Sequence, residues 1–118
     1  MTRKPKWMLD EPKSTRERSK KQETAVAKSL RTGRTTINSG ATLGQNDVTA
    51  DFCEVECKLT AKESFSIKLS DWYKLVDKCH TGKIPMMVIE FEGRKLSLAA
   101  IPLEDLIFLL SLTEKRKK

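Results

Sequence analysis

The segment Asp51-Phe52-Cys53-Glu54-Val55-Glu56-Cys57-Lys58 carries the residues best suited to chemistry. Read as a strand, it alternates its side chains between two faces. Cys53, Val55 and Cys57 then form an apolar face, and Glu54, Glu56 and Lys58 share the opposite one. An acid and a base thus project from the same side of one strand. Asp47 lies just upstream, and a hairpin between the two segments brings it alongside Glu56. Neighbouring carboxylates repel unless a cation sits between them. Hard oxygen ligands with open water positions suit Mg²⁺. A lysine beside such a pair can hold a nucleophilic water or neutralise charge on the phosphate under attack. Together these parts suit phosphodiester hydrolysis. The same Glu-x-Glu-x-Lys pattern also suits a solvated face whose charges pair across strands.

Two further residues bear on that choice. A helix is expected over 18–31, because Val26, Ala27 and Leu30 recur at helical spacing and Gly33 supplies a stop. Glu23 falls on the inward stripe of that helix, where a carboxylate is costly unless it is paired or bound to a metal. Asp47 follows a loop containing Gly40 and Gly44, as a residue at a site would. Asp51 and Glu54 are rival carboxylates, Asp51 above all if the strand register differs.

The remaining elements must position these groups. Arg34 to Asn38 reads as a short strand, and Phe52 to Lys58 as a longer one. Ser70 can cap a helix from Asp71 to about His80, with Trp72, Leu75, Val76 and Cys79 on one face. Ile84 to Phe91 is nearly continuously apolar and suits a strand buried on both faces. Glu92-Gly93 turns the chain into a partner strand over 94–101. Pro102 opens the last helix, with Glu104 and Asp105 in its positive first turn. That helix is apolar almost all round from Leu106 to Leu112, so it must be buried on more than one side, in a dimer interface or a deep core. The unit strand, helix, strand from 52 to 91 reads as a right-handed crossover. The expected fold class is α/β, a small mixed β-sheet flanked by helices.

At 118 residues and 13.4 kDa the chain has room for a single domain. Residues 1–17 read as a basic arm, 18–114 as the folded domain and 115–118 as a basic tail. A formal charge of +7 and a pI near 9.5 point to polyanions as partners. Lys4, Lys6, Arg16, Arg18, Lys20, Lys21, Arg31 and Arg34 are the candidates for phosphate-backbone contacts. No apolar run approaches a membrane span, and the first residues lack a secretory h-region, so a cytoplasmic, non-secreted protein is expected. Cys53, Cys57 and Cys79 read as reduced thiols. Zinc is disfavoured, since Cys53 and Cys57 on one strand stand ~13 Å apart. His80 reads as a capping or solvent contact and Trp72 as core. No P-loop is present.

Glu23, Ser39-Gly40-Ala41, Asn46-Asp47-Val48 and Glu56-Cys57-Lys58, in this order, resemble the PD-(D/E)xK nuclease pattern. More narrowly, they are similar to the archaeal-type Holliday junction resolvases and their small phage-encoded relatives. Ser64, Asp71-Trp72, Gly82 and Pro85 extend the likeness, which spans about Gln22 to Phe91. Asn46 stands where the pattern usually has Pro or Gly. The resemblance implies a restriction-endonuclease-like core and an endodeoxyribonuclease that uses Mg²⁺ or Mn²⁺. It implies that Asp47, Glu56 and the Cys57 carbonyl ligate the metal, that Glu23 completes its shell, and that Lys58 orients the water or stabilises the phosphate. Ser39 would contact the scissile region. It further implies a homodimer that nicks two strands of a four-way DNA junction, in a host-cell cytoplasm if phage-encoded, with no organic cofactor. Other DNA substrates (flap, single strand, duplex site) and a noncatalytic nucleic-acid-binding module are the alternatives.

Overall fold

The computed structural model describes residues 15–36 and 46–116. Its elements run α1 (Thr15–Ser29), β1 (Arg34–Thr35), β2 (Val48–Thr49), β3 (Cys53–Thr60), α2 (Leu69–Lys78), β4 (Ile84–Phe91), β5 (Leu96–Ala100) and α3 (Leu103–Arg116). The five strands form one sheet in sequence order. β3 and β4 are parallel and the other neighbours antiparallel. A parallel pair needs a long connection, and α2 supplies it. The described chain is therefore a small α/β protein with a mixed sheet, as its patterning predicts.

Alternation along β4 builds two layers. Met86 and Val88 face the α1 side, where Val88 joins a core of Ala27, Val48, Ala50, Cys53 and Val55, flanked by Val26 and Leu30 of α1. Met87 and Ile89 face the other way and pack with Leu75 of α2, beside Trp72 and Phe65. A strand covered on both faces has no use for polar alternation, which is why 84–91 reads as a continuous apolar run.

Several expected boundaries move. α1 starts at Thr15 rather than residue 18 and ends at Ser29, with Glu17 favourably placed in its first turn. β1 is confined to Arg34–Thr35. Thr36 keeps the connection to the next segment, its N–H donating to the Asp47 carbonyl at 3.1 Å and its hydroxyl to the Asn46 carbonyl at 2.6 Å. Residues 37 and 38, expected in that strand, lie outside the described residues. β3 runs on to Thr60 because β4 pairs with its whole length. The expected Ser70 cap is not formed. Lys68 is the N-cap residue, without a side-chain cap, and Ser70 lies inside α2. Of the α2 stripe only Leu75 is buried, because this short helix crosses little beyond β4. β5 is shorter than the expected 94–101, since Gly93 and Lys95 adopt positive φ (80° and 52°) in a wider turn.

The largest correction concerns α3. Among the described residues α3 holds no deep core position: it adds nothing to either core and makes no substantial contact with another described element. Among the described residues, no helix is long and apolar enough to cross a membrane.

Gly33 allows the chain to fold back from α1 into β1. Its N–H donates to the Leu30 carbonyl at 3.1 Å. A β-carbon there would lie 2.3 Å from the Ala27 carbonyl oxygen, a backbone atom that cannot swing aside. Gly33→Ala should destabilise the fold by about 1–3 kcal/mol, read as a melting temperature lower by several degrees.

Candidate metal centre

The β2–β3 register pairs Val48 with Val55 and Thr49 with Glu54. One step further along, Asp47 stands opposite Glu56, as the hairpin pattern predicts. Asp47 Oδ2 accepts the Cys57 backbone N–H at 2.8 Å. The Glu56 carboxyl lies in the field of the neighbouring Asp47 carboxyl. Lys58 Nζ lies 3.5 Å from Glu56 Oε2, so the base two positions along β3 does turn to the same face. A residue's N–H and C=O leave an extended strand on the same side. The Cys57 carbonyl therefore also faces the Asp47 edge.

Burial, above all, pushes the Glu56 carboxyl up from 4.5 to about 7, and the neighbouring Asp47 carboxyl adds to it against the opposing pull of Lys58 and Lys78. A carboxyl pair that holds a proton near neutral pH is one that a cation can relieve. Glu23 is also raised, by burial first and then by the Asp47 charge, while Lys20 lowers it. The helix carboxylate therefore sits in the electrostatic field of Asp47. Burial and then the surrounding acids (Asp47, Glu23, Glu56, Glu90) hold the Cys57 thiol protonated, which excludes it as a thiolate nucleophile.

Gln22, which sequence reasoning passed over, anchors α1 above this region. It is buried, and its Nε2 donates to the Lys58 carbonyl at 2.8 Å and the Val88 carbonyl at 3.4 Å. This tie sets the height and rotation of α1, and hence of Glu23, over β3.

The rival carboxylates are elsewhere. Asp51 is solvent-exposed. Glu54 is buried in a network of its own: Oε1 accepts the Asn46 amide at 3.0 Å, and Oε2 accepts the His80 backbone N–H at 2.9 Å and pairs with the His80 ring. Burial raises the Glu54 carboxyl, but the His80 and Asn46 hydrogen bonds outweigh it and hold it below its ordinary value. The solvated-face reading thus fails at Glu54, while His80, expected as a capping or solvent contact, keeps an exposed ring that also pairs with Glu54. Only the pairing of buried polar groups through the fold could reveal this; a period-2 pattern carries no sign of it.

Not every expected ligand converges. Among the described residues, no group of three or more His, Cys, Asp or Glu stands close enough together to hold an ion. Asp47, Glu56 and Lys58 are brought together, with Glu23 at electrostatic range. Ser39, Lys4 and Lys6 lie outside the described residues. Arg16, Lys20, Lys21, Arg31 and Arg34 are exposed. Arg18 is half-buried and bridges to Glu92 at 3.3 Å, so its role in tying α1 to the end of β4 competes with a phosphate contact.

No protein-family model and no curated protein matches the chain.

From about pH 4.5 to 7 the folded chain keeps the Glu56 proton that the unfolded chain has lost, so stability declines as pH rises through that window. Glu54 acts in the opposite sense at lower pH: its contribution is present above 4.5 and is lost as pH falls through its depressed folded value. Without divalent ions, thermal melts should therefore show greatest stability at about pH 5 and a lower plateau above about pH 7. Glu56→Gln should remove most of the decline, leaving the smaller share that the raised Glu23 carboxyl contributes. Mg²⁺ should raise the melting temperature of the native chain more at about pH 8 than at about pH 5.5, because binding requires the proton to leave. Glu54→Ala should cost about 1–3 kcal/mol in the same melts, since it strands the Asn46 amide and the His80 N–H.

Proposed function

We propose that the chain is a metal-dependent DNA endonuclease of the PD-(D/E)xK type, with a restriction-endonuclease-like core. Its preferred substrate is branched DNA such as a four-way junction, cut by a pair of copies. The observation that carries this reading is the Asp47–Glu56 carboxyl pair on adjacent strands with Lys58 3.5 Å from Glu56. Two half-buried carboxyls and a backbone carbonyl on the same edge, with an ammonium nearby, form a site that suits Mg²⁺ or Mn²⁺. Asp47, Glu56 and the Cys57 carbonyl would hold the ion, and Glu23 would reach it through water. Bound there, a divalent ion supplies a more acidic water and charge stabilisation at the phosphate.

The protein's own groups have separable tasks. The Cys57 N–H orients Asp47. Glu56, its carboxyl raised by burial, gives up its proton on binding. Lys58 positions the attacking water or neutralises the developing charge on phosphorus as the ester P–O bond breaks. Exposed Lys20, Lys21, Arg31 and Arg34 hold the phosphate backbone without reading bases. The runner-up is a noncatalytic nucleic-acid module, favoured in that no third acid, His or Cys among the described residues joins the Asp47–Glu56 pair closely enough to hold an ion.

Incubation of a synthetic four-way junction with the protein and Mg²⁺ tests both. The expected result is paired nicks, lost with chelator. Asp47→Asn and Glu56→Gln should each reduce cutting by about a hundredfold or more while junction binding survives, and Lys58→Ala should slow cutting by a comparable factor. Cutting of linear duplex or flaps in preference to the junction would move the substrate but keep the chemistry. Binding with no cleavage under any divalent ion would leave the noncatalytic module.

A further inference from the structure

We propose that α3 is a dimerisation element, pairing antiparallel with α3 of a second copy across a two-fold axis. The helix exposes Leu103 (69%), Ile107 (54%) and Leu110 (52%) at i, i+4 and i+7, with Phe108 (59%) beside them. That spacing is a continuous apolar seam. Nothing in the described chain covers it. The apolar surface continues onto β5, the open edge of the sheet, where Leu96 and Leu98 are about half exposed (48% and 51%). Beside them Phe65, Ile67 and Phe91 line a groove.

The occupant follows from two observations. The ends of α3 are complementary in charge: Glu104 and Asp105 open it, and Lys115 and Arg116 close it, with Glu114 the one acid there. A parallel partner would set like ends together. An antiparallel partner sets Glu104 beside the partner's Lys115, and a two-fold axis makes that contact twice. A lipid surface is the poorer match, because α3 has no basic stripe along its length. Half-exposed side chains of this size bury on the order of 60 Å² each, so the four seam residues of the two helices remove roughly 500 Å² and Leu96 and Leu98 of the two β5 edges add roughly 240 Å², the size of a weak interface that fills toward the upper end of a micromolar range.

This inference does not rest on the nuclease reading, and its test contains neither DNA nor metal. Where both hold, the dimer carries an Asp47–Glu56 pair on each copy, as paired nicking requires. Sedimentation equilibrium of the full chain over about 1–100 µM should give a mass that rises toward twice the 13.4 kDa chain mass at the top of the range. Ile107→Glu with Leu110→Glu should weaken association by about 30-fold or more. The far-UV spectrum should be retained, since these side chains touch neither core. Glu104→Lys and Lys115→Glu should each weaken it by roughly threefold, and the two together should restore it. A 13.4 kDa species at the top of that range, an unchanged mass in the Ile107/Leu110 variant, or association with anionic vesicles in place of self-association would overturn the proposal. Failure of the charge reversal to restore pairing would overturn the antiparallel arrangement.

Discussion

The hydrogen bond from the Cys57 N–H to Asp47 Oδ2, at 2.8 Å, ties the chain entering β2 to the middle of β3. β2 is only two residues long, so backbone pairing alone holds its entry weakly. The Asp47 side chain completes the ladder where the backbone stops. In doing so it is fixed beside Glu56, and its charge adds to burial in raising the Glu56 carboxyl and acts in the same sense on Glu23 and Cys57. Structural role and candidate chemistry thus share one side chain. Fold stability and the proposed ion act on the same pair, since the proton that the fold prefers is the one a cation must displace.

Two polar networks flank β3, and they divide its carboxylates. Glu54 is buried and satisfied by Asn46 and His80, at the end of the strand nearest the C-terminus of α2. Glu56 is left with Asp47 and Lys58. Adjacent same-face acids therefore carry opposite shifts: hydrogen-bond donors outweigh burial at Glu54, while a like charge reinforces it at Glu56. Asn46 belongs to the structural network, with its amide on Glu54 and on the Leu75 carbonyl at 3.3 Å. The residue that departs from the nuclease pattern thus has a local reason for its polarity: it links the Asp47 segment to α2.

α1 is held by buried polar contacts as well as apolar ones. Ala27, Val26 and Leu30 pack on the sheet, while Gln22 reaches two strand carbonyls and Arg18 bridges to Glu92. Apolar packing alone would tolerate rotation of a helix with so short an apolar stripe. Directional hydrogen bonds fix the rotation that sets Glu23 in the field of Asp47. At the other end of the chain, the described residues give α3 no such anchors.

Much of this protein was legible from residue order alone. Period-2 alternation from Cys53 to Lys58, the continuous apolar run from Ile84 to Phe91 and the helical stripes around Ala27 and Leu75 are local signals, and local patterns report which face of an element is buried. They led to the α/β class, the parallel crossover and the Asp47–Glu56–Lys58 grouping. Patterning could not show that Glu54 leaves the polar face for a buried site, that Ser70 is passed over as a cap, that Gln22 anchors α1, or that α3 lies outside the chain's own core. Each depends on which distant groups arrive as partners. Hydrogen bonding and burial are properties of pairs of residues, and the identity of the pairs is decided only when the sheet closes.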